Sequence, residues 1–297
     1  MQRREFLKTS AAFLALPRGP HLRPARLILY IGGAITPRLV EALAPSAFNH
    51  AILAFLYART RRGRLRLTYN GLPPARITPW LRPRLRQLPQ RLLISIGGWG
   101  NAPTFAAIQA AGVDRFLDAL DHDMVEPWGL SGLDLDLEPG TVAENTPAGW
   151  HAVHDTYGAL LVEITRKYRA RHPGHVVTHA PISSVAAALY ARDGRVRGVA
   201  GSLVEACGPA LSWLNVQCYE AGDPQPLTIP EFYRREHLDA GFYLPGFEPR
   251  RHQPLDFCQA TLRQLTRPGG VFLWDNRQIS TALAGWATGL RHALRAP

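Results

Sequence analysis

Apolar and β-branched residues gather along this chain in short runs, each closed by glycine or polar turn residues and followed by a stretch of helical period. Eight runs read as strands: residues 27–31, 51–56, 92–96, 133–137, 176–179, 213–217, 241–244 and 271–274. Between them, residues 105–125 place Phe105, Ile108, Phe116, Leu117 and Leu120 at helical spacing, and residues 150–168 do the same with Val153, Leu160, Leu161 and Ile164. Shorter helices fit 37–43, 198–207, 229–237 and 257–265, and a closing helix fits 280–294. Prolines at 73, 74, 79, 83 and 89 argue against a long regular helix between residues 59 and 89.

These strands are mostly apolar on both faces, which a sheet needs only when both of its sides are covered. Strands alternating with helices then give a parallel sheet, and eight of them closed on themselves give a single (β/α)8 TIM barrel of the α/β class. An open doubly wound sheet is the alternative. Its first strand exit would need phosphate-binding glycine spacing, which Tyr30-Ile-Gly-Gly-Ala34 lacks. The last two strands leave room for one helix between them, so no inserted α+β domain is expected. The barrel should occupy residues 25–297.

One strand breaks the apolar rule. In Ser131-Gly-Leu-Asp-Leu-Asp-Leu-Glu-Pro-Gly140 the two-residue period puts Leu133, Leu135 and Leu137 on one face and Asp134, Asp136 and Glu138 on the other. With the leucines packed outward on helices, the carboxylates form a column rising through the barrel, with Glu138 nearest the C-terminal mouth where such barrels carry their chemistry. Three buried like charges cannot all stay ionised cheaply, so protons are expected to be held among them, as a general acid requires. A divalent-metal site or an internal hydrogen-bond network are the other uses of such a column.

Composition narrows the partners. The formal net charge of +11 invites a nucleic-acid reading. Yet only Lys8 and Lys167 are lysines, the arginines are scattered apart from a dense run at 59–66, and no helix-turn-helix or zinc-finger spacing accompanies them. Nucleic acid is therefore not expected as a partner. No run of 18 apolar residues exists, so stable membrane insertion is not expected either. Cys207, Cys218 and Cys258 lack metal-ligand spacing and read as small buried apolar residues. His151 and His154, three apart on a helix, read as a solvated or packed pair. Residues 1–24, with Arg3-Arg4-Glu5-Phe6-Leu7-Lys8 ahead of a short apolar stretch, resemble a twin-arginine export signal. Export to the periplasm or the exterior follows from it, and a cytoplasmic location if the signal does not function.

The stretch from Ser131 to Glu138 resembles the D-x-x-D-x-D-x-E signature of the family-18 glycoside hydrolases, the chitinases and endo-β-N-acetylglucosaminidases, with Ser131 standing where the first Asp is usual. Other motifs agree in order. Ser95-Ile-Gly97-Gly98 is similar to the family's S-x-G-G, and Gln217-Cys-Tyr219-Glu220 to its Q-x-Y-N/D, with Glu220 one methylene longer. Trp274 resembles the tryptophan flooring the reacting sugar's subsite, Tyr30 and Phe55 fit the aromatic lining, and Ala180-Pro181 is familial.

The resemblance implies a retaining hydrolase of β-1,4 bonds in N-acetylglucosamine-containing oligo- or polysaccharides, without cofactor or metal. In that family the substrate's own acetamido group attacks C1. By resemblance Glu138 is the acid/base, Asp136 holds the acetamido N–H, Asp134 shares a proton with Asp136, and Tyr219 bonds the acetamido oxygen. Tyr30, Phe55, Ser95, Gly97, Gly98, Trp99, Gln217, Glu220 and Trp274 would line the substrate site. Trp99, Trp128 and Trp274 are the tryptophans placed near a groove, which without an inserted domain should be shallow and suit internal cleavage. The alternative is a chitinase-like carbohydrate-binding protein without turnover, motivated by Ser131 and Glu220. A third reading is a metal-dependent hydrolase on the same barrel.

Overall fold

The computed structural model describes residues 24–295 except 192, 220–226 and 250–252, so the export segment, but for Pro24, and Glu220 lie outside the described residues. Among the described residues nine strands form one sheet: β1 (Arg26–Gly32), β2 (His50–Arg61), β3 (Arg64–Tyr69), β4 (Arg91–Gly97), β5 (Gly132–Asp136), β6 (Val176–His179), β7 (Trp213–Gln217), β8 (Tyr243–Phe247) and β9 (Gly270–Leu273). β1 pairs in parallel with both β2 and β9, which closes eight parallel strands into a barrel, and β3 runs antiparallel along β2 outside the ring. All eight expected strands are present. The strand expected at 241–244 lies at Tyr243–Phe247, because residues 241–242 form a turn and the Pro245-Gly246 pair remains in the ladder opposite Val216 and Gln217.

Strand parity sorts the core into two. Ile28, Tyr30, Ile52, Leu93, Val176, Trp213, Leu244 and Phe272 fill the lumen. The alternate residues, Leu133, Leu135 and Leu137 among them, pack with the helices outside. At Gly246 a Cβ would lie 1.8 Å from the Phe272 ring, so a glycine is what lets that phenylalanine cross the lumen.

Two readings of the connections are corrected. The helix expected over 105–125 is broken at Gly112, whose φ of +87° suits glycine, into Ala102–Ala111 and Val113–Leu120, followed by a wider helical turn at Asp121–Val125. The proline-rich stretch after residue 59 forms a hairpin and then the helix Pro74–Leu85. That helix tolerates Pro79 and Pro83 because both sit on its exposed face, where water meets the orphaned carbonyls, while Pro74, Ile77, Leu81 and Leu85 make a buried stripe. Among the described residues one helix, Leu255–Gln264, joins β8 to β9, and no α+β domain intervenes. No helix among the described residues is long and apolar enough to cross a membrane.

Behind β6, a polar cluster lies between the barrel and the helix Pro147–Arg171. His179 Nε2 is 2.7 Å from Thr165 Oγ1, and its Nδ1 is 3.0 Å from the Tyr190 hydroxyl. His154, whose Nδ1 lies 2.9 Å from the Trp150 carbonyl oxygen, packs edge-on against Tyr190. Both histidines are buried, and burial depresses them, His154 to about 4 and His179 to about 3. The unfolded chain takes up protons near pH 6.5 while the folded one does not, so this contribution is intact above pH 6.5 and is lost as pH falls toward 4. Each histidine should cost about 3 kcal/mol at pH 4. His179→Gln keeps an amide toward Thr165 and Tyr190 but cannot be protonated. Thermal unfolding measured from pH 7 to 4 should show a shallower loss in this variant, and an unchanged slope would contradict the assignment.

Candidate active site

The column of carboxylates forms as the strand parity dictates. Asp134, Asp136 and Glu138 are buried to 0%, 4% and 7% exposure. Asp134 lies deepest, where its Oδ1 accepts hydrogen bonds from Thr178 Oγ1 (2.5 Å) and Asn215 Nδ2 (3.3 Å). Its Oδ2 accepts from Ser95 Oγ (2.7 Å) and the Tyr30 hydroxyl (3.0 Å). Asn215 also donates to the Tyr30 oxygen at 2.9 Å, so the donors are themselves tied together. Burial pushes Asp134 up to about 6, while the four donors pull it down. The same burial, with Asp134 and Asp136 nearby, drives the Tyr30 hydroxyl well above its ordinary value.

One layer higher, the amide nitrogen of Gln217 donates to Asp136 Oδ1 at 3.0 Å and to the Ala180 carbonyl at 2.9 Å. Gly97 stands in register with Asp136, and the Gly98 N–H donates to the Asp136 carbonyl at 2.8 Å. A Cβ on Gly97 would lie 2.1 Å from that carbonyl oxygen, and one on Gly98 would lie 2.6 Å from the Phe55 ring. Both residues have positive φ, +111° and +79°. The Ser95-Ile-Gly-Gly stretch thus does three jobs: Ser95 holds Asp134, Gly97 admits the Asp136 backbone, and Gly98 admits the ring of Phe55.

Asp136 and Glu138 face a cavity of about 80 Å³ at the C-terminal end of the strands. Gln217, Tyr219, Tyr30 and Phe272 line it, with Ala180 beside them. Phe55, Trp99 and Trp274 complete the wall. Trp274 packs against Phe55 at 5.3 Å between ring centroids and meets Tyr30 edge-on at 5.8 Å. Trp99, 41% exposed, is the most open of the three. A cavity walled by aromatic faces and floored by carboxylates suits a sugar, whose C–H faces stack on rings while its polar groups reach hydrogen-bond partners.

Most of the residues singled out in the sequence converge here. Ser95, Gly97 and Gly98 support the site from beneath rather than lining it. Trp128 is a correction: it is 2% exposed, donates to Thr78 Oγ1 at 2.8 Å and packs edge-on with Tyr69 in the outer core. Its helical turn at Glu126–Trp128 precedes β5, at the end of the barrel away from the mouth. Ser131 also lies at that end, with its N–H and hydroxyl directed to the Leu92 carbonyl at 2.8 and 3.3 Å. It is roughly 20 Å below Glu138 along the strand, too remote to touch the chemistry. Thr178, Asn215 and Phe272 were missed. Thr178 and Asn215 are polar residues at inward parity within apolar strands, a signal that becomes specific only once the register sets Thr178 opposite Asp134.

The family model for glycosyl hydrolases family 18 matches residues 26–238. No curated protein sequence matches the chain. Among solved structures, the C-terminal domain of Legionella pneumophila ChiA superposes with a TM-score of 0.63 at 17% identity, covering 91% of this chain and 98% of that one. A Cycas revoluta chitinase of the same family, in complex with (GlcNAc)3, gives 0.61 at 16% identity over 91% and 99%. A fungal endo-β-N-acetylglucosaminidase of family 18 gives 0.58 at 17% identity over 91% and 98%. At these identities the superpositions speak for the fold, and the family match speaks for descent. By that match the chain belongs to family 18 of the glycosyl hydrolases, as its carboxylate strand foretold.

Proposed function

We propose that this protein hydrolyses β-1,4 bonds in N-acetylglucosamine-containing glycans with retention of configuration, using the substrate's own acetamido group as nucleophile. The observation that carries the reading is the joint exposure of Asp136 and Glu138 to one aromatic-walled cavity, above an Asp134 fixed by four donors. Glu138 protonates the glycosidic oxygen as the acetamido oxygen closes on C1. Asp136, steadied by Gln217, accepts the acetamido N–H and stabilises the positive charge of the oxazolinium ion. Asp134, held near 6 by burial, shares the proton load beneath it. Tyr219, at the cavity wall, bonds the acetamido oxygen, and Trp274 carries the sugar face. Glu138, now a carboxylate, activates the water that opens the oxazolinium. Intramolecular attack gains its advantage from proximity, so the walls that align the acetamido group are part of the catalyst.

Ser131 gives no support to a purely carbohydrate-binding reading, because it acts in the strand ladder at the far end of the barrel. Export through the twin-arginine segment remains part of the proposal and would bring the enzyme to extracellular or periplasmic glycans.

Replacing Glu138 by Gln should lower kcat on chitin oligomers by about 10³-fold or more while oligomer binding, read by calorimetry, persists. A variant turning over at the parental rate would remove Glu138 from the mechanism. A wild-type protein inert toward a fluorogenic chitobioside would instead favour the binding-only reading. Tyr219→Phe removes the hydrogen bond that holds the acetamido oxygen in line with C1 and should cost about 10²-fold in kcat with little change in KM. A change confined to KM would reassign Tyr219 to simple binding.

A further inference from the structure

Beyond Leu56, β2 leaves the barrel and pairs with β3 alone, forming a two-stranded ribbon above the mouth. One face of the ribbon carries the buried Ala58, Leu67 and Tyr69 and packs in the outer core. The other face begins at Phe55 on the cavity wall and continues through Tyr57, which stands opposite Thr68. Beyond these come Arg59 directly opposite Arg66, and Arg61 directly opposite Arg64. All four arginines are exposed. Among the described residues none of their side chains has an acidic partner or a hydrogen bond. A fifth, Arg62, occupies the turn at φ +52° beside Gly63 at +70°, a left-handed pair that normally selects asparagine or glycine at its first place.

This arrangement is locally unfavourable. Like charges directly opposed across a ladder destabilise it, and a β-hairpin has no structural need for arginine at four successive facing positions. Solubility is served by mixed signs rather than a one-sign strip. A strip that lies on the same side of the sheet as the catalytic cavity has a use when the chain leaving that cavity is itself negatively charged. Alternate strand positions are about 6 to 7 Å apart, so the arginine pairs lie roughly 13 and 20 Å beyond Phe55, several sugar units from the scissile bond. The planar guanidinium fork matches a carboxylate with two parallel hydrogen bonds.

We propose that this arginine ribbon, joined to the cavity through Phe55 and Tyr57, binds carboxylate groups along an extended acetamido-sugar polymer, making the preferred substrate an anionic glycan rather than neutral chitin. The inference rests on the glycosidase reading above and specifies its substrate class. The ribbon acts on affinity for long chains and leaves the bond-breaking step untouched.

The test compares carboxymethyl chitin with the neutral glycol chitin. The wild-type protein should show about tenfold higher kcat/KM on carboxymethyl chitin at low salt, through KM. That preference should vanish at about 1 M salt, where the screening length is about 3 Å. Replacing Arg59, Arg61, Arg64 and Arg66 together by Gln should abolish the preference, leave the fluorogenic chitobioside rate unchanged, and keep or raise Tm because opposed charges are removed. The double variant Arg59→Gln/Arg66→Gln should show part of the loss if the quadruple variant folds poorly. Replacing Arg76, Arg82, Arg86 and Arg263, exposed elsewhere, removes the same charge and should keep the preference. Equal rates on the two polymers, a preference that survives the ribbon substitutions, or an equal loss in the remote variant would overturn the proposal; so would a ribbon that retains duplex DNA more tightly than carboxymethyl chitin. Affinity electrophoresis in gels containing each polymer reads binding without turnover. An inert chitobioside assay with intact ribbon-dependent retention would therefore sink the glycosidase reading and not the strip.

Discussion

A carboxylate removed from water must find a proton donor for each lone pair it exposes, and Asp134 finds them on four different strands. Tyr30 comes from β1, Ser95 from β4, Thr178 from β6 and Asn215 from β7. Ser95 and Thr178 stand on the strands that flank β5 in the ladder, whereas Tyr30 and Asn215 come from strands that do not pair with β5 and reach Asp134 inside the closed barrel, so the site and the barrel depend on shared contacts. The donors do not fully offset the loss of hydration, which is why the group is pushed up to about 6 rather than down. The floor of the cavity is thus a charge site held by geometry, and Asp136 and Glu138 stand on it at successive inward positions.

The layer above is made by close approach as much as by hydrogen bonds. Two glycines with positive φ bring the β4 exit within reach of the Asp136 backbone and the Phe55 ring. A side chain at either position would displace an element of the wall. Gln217 completes the layer by spanning Asp136 and Ala180, so the aspartate is oriented from β7 while its backbone is held from β4. An acetamido group entering this layer would meet groups already aligned, which is what intramolecular attack requires.

The treatment of charge differs inside and outside the barrel. In the lumen the deepest carboxylate is met by a full set of donors, whereas on the ribbon four arginines stand opposite one another with no acidic side-chain partner among the described residues. The net charge of +11 says nothing of this contrast, since most arginines are dispersed over the surface. Register is what turns a run of alternating arginines into opposed pairs, and the shared side with Phe55 is what ties those pairs to the cavity.

Period and parity were legible in the chain: the eight strands, the outward leucines of β5, the inward carboxylates and the glycine exit of β4 all follow from local rules acting over a few residues. Trp128 was misplaced because an aromatic ring carries no local mark of the side on which its helix will pack. The hairpin after residue 59 was hidden behind prolines that matter only where they are buried, and the exposed face of the helix Pro74–Leu85 absorbs them. Thr178 and Asn215 became part of the site through register alone. A single chain specifies which face each residue takes along its own strand. Pairing register between strands lies beyond that local rule: it opposes the arginines in the β2–β3 hairpin and sets Ser95 and Thr178 beside Asp134, and only closure of the barrel brings Tyr30 and Asn215 to the same carboxylate.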